Sequence, residues 1–230
     1  MFSFIRLKKV AYYIVLFLYL VAMLSLSVAI NVVSWGSNIS FAFILANGII
    51  AVVVINKKTD IFIVLGLLFT IGADYFLILD GNYLYGLILF LIVQICYAIR
   101  TVMFSRGRIT LILNVCTRIV VSLVFILVAY LVLEDGINPL VILVMIYGAN
   151  LLLNCVFSFV HFNKQYLLSF GFLFFICCDI FVAIDFINVE NVLGFTDFLP
   201  DAGRYAWYFY PFSQMLILLS ILVPNPFVRK

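Results

Sequence analysis

The sequence predicts an all-α protein: a polytopic transmembrane bundle of eight helices, with the N- and C-termini on the cytoplasmic side. Three observations carry this expectation. The 230 residues are 67% hydrophobic and only 10% charged, far from the balance of a soluble domain. Apolar runs of about 18 to 25 residues recur, each long enough to cross a hydrocarbon layer. The charges then sort by end. Eleven of the thirteen Lys and Arg residues (Arg6, Lys8, Lys9, the Lys57–Lys58 pair, Arg100, Arg106, Arg108, Lys164, Arg229 and Lys230) fall at alternate helix ends. The opposite ends carry Asp80, Glu134, Asp135, Asp185, Glu190, Asp197 and Asp201. By the positive-inside rule, the basic ends face the cytoplasm.

Span 1, about 10–31, follows Arg6, Lys8 and Lys9; its length and the lack of a small-x-small site favour an anchor over a signal peptide. Span 2, about 39–55, carries Asn47 and stops before Lys57 and Lys58. Span 3, about 60–79, places Asp74 in an apolar run, and span 4, about 83–103, offers Gln94 and Tyr97. Span 5, about 109–133, carries Thr110, Asn114, Arg118 and Ser122 at every fourth position, hence on one face. Span 6, about 139–160, lines up Tyr147, Asn150, Asn154 and Ser158 in the same way. Span 7, about 165–187, contains Asp179 and leads into an acidic external loop, 188–204. Span 8, about 205–223, opens with YAWYFYPF, a composition suited to an interfacial aromatic belt, and continues through Tyr210 and Gln214. Residues 1–230 are read as one integral-membrane domain.

Two spans repeat each other. GLLFTIGADYFLILD (66–80) and GFLFFICCDIFVAID (171–185) are identical at seven of fifteen positions, including Gly66/Gly171, Asp74/Asp179 and Asp80/Asp185. Tyr85 precedes Gln94 by nine residues, as Tyr205 precedes Gln214. Spans 3–4 and 7–8 therefore read as related pairs of one orientation, which predicts a four-plus-four parallel duplication about an axis along the membrane normal. Asp74 lies fourteen residues after Asp60, and Asp179 fourteen after Gln165, so the two acids share a depth in the outer half of the membrane. That depth is about 21 Å along each helix at the usual rise.

An ionisable group within a span is expensive and marks a partner or a function. Asp74, Asp179 and Arg118 are the three such groups. Arg118 reads either as the neutraliser of an aspartate or as a phosphate holder. Singly, Asn47, Asn114 and Ser158 read as polar glue between helices. Together, the stripes predict a polar cavity lined by several helices. The second acid is read as a copy of the first, facing it across that cavity.

Other chemistries lack their residues. The single histidine, His161, sits at a helix end and cannot build a poly-histidine zinc site. No lysine lies mid-span to hold a retinal, and no nucleophile elbow, P-loop or dinucleotide fingerprint is present. The five cysteines all lie within spans and form no CxxC pair. No metal or cofactor is expected, and the net charge of +3 reflects orientation rather than nucleic-acid binding.

The stretches NKKTD (56–60), LFTIGAD (68–74), QICY (94–97), LFFICCD (173–179) and YPFSQ (210–214) resemble motifs of the YhhN-like lysoplasmalogenases, a family of eight-span membrane proteins. The family's Pro after Lys is absent here, its Gly before the first Asp is Ala73, its His is Gln94, and its Ser before the second Asp is Cys178. The resemblance implies hydrolysis of the vinyl-ether bond of lysoplasmalogens to a fatty aldehyde and a glycerophospho-alcohol. Such cleavage begins with protonation of carbon and ends with capture of an oxocarbenium ion by water. Two carboxyl groups sharing a site hold a proton between them more readily than either alone. Asp74 and Asp179 are accordingly the expected acid/base pair. Lys57 or Arg118 would engage the phosphate, while Gln94, Tyr97, Asn150 and Gln214 would place substrate or water. The partner is then a lysophospholipid or another lipid, and the compact form suggests a bacterial cytoplasmic membrane. The rival reading is a non-enzymatic lipid-binding protein or small proton-coupled transporter with an aspartate-lined cavity. The family activity favours the first and Gln94, which cannot shuttle a proton, the second.

Overall fold

Hydrocarbon offers no hydrogen bonds, so a chain this apolar must satisfy its backbone within each segment, and it does so as helices. The computed structural model describes residues 2–28, 33–55, 60–103, 108–132, 138–190, 199 and 202–223. These form α1 (Phe2–Val28), α2 (Val33–Val54), α3 (Ile61–Asp74), α4 (Tyr83–Val102), α5 (Arg108–Val132), α6 (Pro139–Val160), α7 (Phe162–Glu190) and α8 (Ala202–Leu222). No strand occurs among the described residues. Seven of the helices are long and apolar enough to cross a membrane, and α2 contributes a shorter apolar stretch, Asn38–Val54. The chain is a multi-pass membrane protein.

Local chemistry sets the helix ends. The Asn82 side chain accepts from the Tyr85 amide at 3.4 Å to open α4, and Asn138 accepts from Val141 at 2.8 Å to open α6, where Pro139 takes the first position. In α7 the backbone leaves helical geometry at Gln165 (φ −151°, ψ 39°), so the uninterrupted helix starts near the predicted boundary. One feature departs from the expected regular helix. Immediately after Asp74, α3 widens into a π-helical turn, Tyr75–Asp80, which ends at Gly81 in the left-handed region (φ 71°). Glycine tolerates that conformation without a Cβ penalty.

Helix neighbours repeat with a shift of four. The α1–α2, α2–α3 and α3–α4 packings recur as α5–α6, α6–α7 and α7–α8, and α2–α8 recurs as α6–α4. The glycines of the sequence repeat explain part of this. A Cβ on Gly66 would strike the Tyr97 ring of α4, while one on Gly171 would meet Ile217 Cγ1 of α8 at 2.8 Å. Tyr97 and Ile217 stand in the same offset as Gln94 and Gln214. Each glycine therefore lets its hairpin close in the same place. The symmetry is broken at the periphery: α1 packs on α8, whereas α5 leans mainly on α6 and stays largely exposed. Lys8 Nζ donates to the Ile221 carbonyl at 2.6 Å, so the start of α1 and the end of α8 lie on one side of the bundle.

Candidate functional site

Asp74 and Asp179 both end up on inward faces, each six residues before the external-end carboxylate of its helix, Asp80 or Asp185. Their partners come from different helices. Tyr210 of α8 donates its hydroxyl to the Asp74 carboxyl, with both Oδ atoms at 2.7 Å. Tyr147 of α6 donates to Asp179 Oδ2 at 2.6 Å. Asp74 is 3% exposed, whereas Asp179 is only half-buried. Among the described residues no hydrogen bond joins the two carboxyl groups; each is held by a tyrosine.

These pairs belong to one cluster. Tyr147 packs on Phe90 (ring centroids 5.8 Å apart), Phe90 on Phe175 (6.0 Å) and Phe175 on Tyr210 (5.7 Å). An aromatic chain thus runs from one acid's partner to the other's. Tyr147 and Cys178 each lie within electrostatic range of both carboxyl groups. Such an arrangement supplies two carboxyl groups, each steadied by a phenol, in a low-dielectric interior that strengthens any charge interaction with a bound molecule.

A second network lies toward the cytoplasm. Arg118 of α5 spends Nε on Asn114 Oδ1 (2.8 Å), Nη1 on Asn150 Oδ1 (3.0 Å) and Nη2 on Asn154 Oδ1 (2.8 Å). Of the two readings expected for it, the counter-ion is not what this geometry shows. No carboxylate pairs with it among the described residues, and three neutral amides surround the guanidinium instead. The same set places Asn150, whose Nδ2 donates back to Ile146 O at 2.8 Å. Asn154 Nδ2 in turn donates to both the backbone oxygen and Oε1 of Gln94, at 2.9 Å each. Gln94 is fully buried and its Nε2 has no partner among the described residues.

The remaining expected residues are scattered around these networks. Tyr97 is fully buried against Phe172 (5.2 Å) and its hydroxyl approaches Thr70 without reaching hydrogen-bond geometry. Gln214 Nε2 donates to Ser213 Oγ at 3.4 Å, leaving Oε1 unpartnered. Lys57 lies outside the described residues. Arg100 of α4 pairs with Asp60 at 3.4 Å, a buried ion pair at the cytoplasmic end.

Sequence reasoning missed three partners. Tyr147 and Asn154 stood in the polar stripe of span 6 without a role, and their seven-residue spacing was the available signal. Tyr210 was read with Gln214 as part of the inward polar set of span 8, without a role, and also as part of the interfacial aromatic run. The interfacial reading fails for this residue, because it is 5% exposed and bonded to Asp74.

A polytopic helical membrane protein with two interior acid–tyrosine pairs on duplicated helices is the class that fold and site define. The YhhN family model matches residues 33–221, and the chain belongs to that family. Comparison with curated proteins and with solved structures gave no match.

Proposed function

We propose that the protein is a lysoplasmalogenase-like hydrolase of a bacterial cytoplasmic membrane, cleaving the vinyl-ether bond of a lysophospholipid with Asp74 and Asp179 as its acid and base. One observation carries the reading: at matching positions of two repeated helices, each acid is held by a tyrosine hydroxyl, and an aromatic chain joins the two pairs. One carboxylic acid gives its proton to the outer vinyl carbon, which generates an oxocarbenium ion on the ether oxygen. The other, as carboxylate, stabilises that cation and takes a proton from the attacking water. The resulting hemiacetal collapses to fatty aldehyde and glycerophospho-alcohol, and the net reaction consumes one water. Tyr147 and Tyr210 hold the carboxyl groups in place as the charge moves between them. Gln94, Tyr97 and Gln214 would place substrate or water beside them.

The test is aldehyde release by the purified protein from a lysoplasmalogen, beside ester and alkyl-ether analogues. Aldehyde from the vinyl ether alone is the expected result. Saturable lipid binding without product would select the rival reading, a lipid-binding protein or small proton-coupled transporter, which the unpartnered polar atoms of Asn47, Gln94 and Gln214 would also suit.

A further inference from the structure

Arginine carries donors only, and this decides the orientation of every amide beyond it. Because Arg118 Nη2 donates to Asn154, the oxygen of that amide must face the guanidinium and its Nδ2 must face α4. Because Asn154 Nδ2 donates to the Gln94 side chain, Oε1 of Gln94 must face α6. The Gln94 Nε2 group is then the atom left over, fully buried and without a partner among the described residues. A buried amide nitrogen with two unused protons is costly unless something accepts from it. Gln94 sits one helical turn from Phe90, whose ring touches Tyr147, the partner of Asp179. Gln94 thus lies one helical turn from a ring of the acid cluster.

We propose that Arg118, acting through Asn154, locks Gln94 so that its Nε2 is presented to the interior as a donor for an oxygen acceptor, either a lipid oxygen or the water consumed in hydrolysis. Arg118 and Asn154 are positioning residues, and Gln94 is the group that meets the ligand. The positive charge, unneutralised by any carboxylate among the described residues, polarises the amide chain and strengthens the final donor. Position 94 then serves as a fixed donor and has no need to carry a proton, which accounts for glutamine there. Its part in turnover rests on the hydrolase reading, whereas the orientation does not.

Two substitutions separate positioning from folding. In Asn154→Asp the new carboxylate pairs with Arg118, so the helix packing is kept. It can only accept, however, so Gln94 must turn its Nε2 toward α6 and leave Oε1 inward. Gln94→Met removes the donor with little change in volume. The chain has three glutamines, Gln94, Gln165 and Gln214, so isotope-labelled glutamine gives three side-chain amide signals in a nuclear magnetic resonance spectrum, with Gln94 identified by its loss in Gln94→Met. The expected result is a displaced Gln94 signal in Asn154→Asp with the fold retained, at a somewhat lower melting temperature because the Gln94 backbone oxygen loses its donor. Turnover of an alkenyl lysophosphoethanolamine should fall at least about tenfold in either variant, with no further loss in the double variant. Titrating the wild type with a non-cleavable alkyl-ether lysophospholipid distinguishes the acceptors. A shift of the Gln94 signal assigns a lipid oxygen, and an unmoved signal whose protons exchange with solvent assigns water. An unchanged Gln94 signal in Asn154→Asp, or turnover within twofold of wild type in Gln94→Met, overturns the proposal. Should the wild type neither cleave nor bind the lipid, the hydrolase reading falls while the Asn154→Asp spectrum still decides the orientation.

Discussion

The α3–α4 and α7–α8 hairpins descend from one pattern yet treat their aspartates differently. Both begin with a glycine that lets the second helix close in, and both carry the acid eight residues later. In α3 the acid is buried, gripped through both oxygens by Tyr210, and followed at once by a π-helical turn. In α7 it is half-buried, held through one oxygen by Tyr147, and followed by regular helix. π-Turns inside helices are rare and gather at functional sites. The hairpin tips diverge as well. Asn82 caps α4 from the adjacent residue, whereas Asp185 reaches across the long loop to accept from the Gly203 amide at 3.1 Å. The matching positions belong to the sequence repeat, and the unequal environments suit the proposed division into acid and base.

The largest expected effect tests whether both halves are needed. Replacing either acid with its amide, Asp74→Asn or Asp179→Asn, should cut aldehyde release by about a thousandfold or more, in the range that a positioned acid or base contributes. Near-full activity in one of them would show that only one hairpin retains the function. A milder pair of substitutions grades the two environments. Tyr210→Phe and Tyr147→Phe should each lower turnover, with the greater loss at Tyr210, since removing a partner from a buried carboxyl group costs about 1–3 kcal/mol. Equal losses would mean that the tighter grip on Asp74 has no consequence for the chemistry.

Packing can be probed apart from chemistry. Gly66→Ala and Gly171→Ala should both destabilise the protein by about 1–3 kcal/mol, seen as lower melting temperatures in detergent. Their causes differ: the first displaces a fully buried ring, and the second crowds Ile217 N at 3.2 Å and Ser213 O at 3.3 Å. An unaffected Gly171→Ala would disprove the equivalence of the two closures. The smallest effect belongs to the tips. Asp185→Ala should cost about 1 kcal/mol as a lost cap, with turnover unaltered.

Much of the fold was legible because hydropathy and charge act over whole segments. The described helices fall close to the expected spans, and the α3/α7 repeat, read from Gly66, Asp74 and their copies, reappears as matching helix neighbours. The π-turn was not legible: YFLILD and its counterpart IFVAID are both apolar runs ending in Asp, yet only the first widens. Arg118 illustrates the same limit. Its spacing put it on a polar face with Asn114, but the choice among carboxylate, phosphate and amide partners depends on which helix lies opposite.

From the order of residues alone came eight membrane spans, two acids at one depth and a striped interior, because periodicity and desolvation cost are local properties of a helix. The tertiary structure decided that each acid is held by a tyrosine, and that the arginine ends in asparagines. Those choices turn on the rotation of one helix against another, which is set by small residues and ring packing at contacts far apart in the chain.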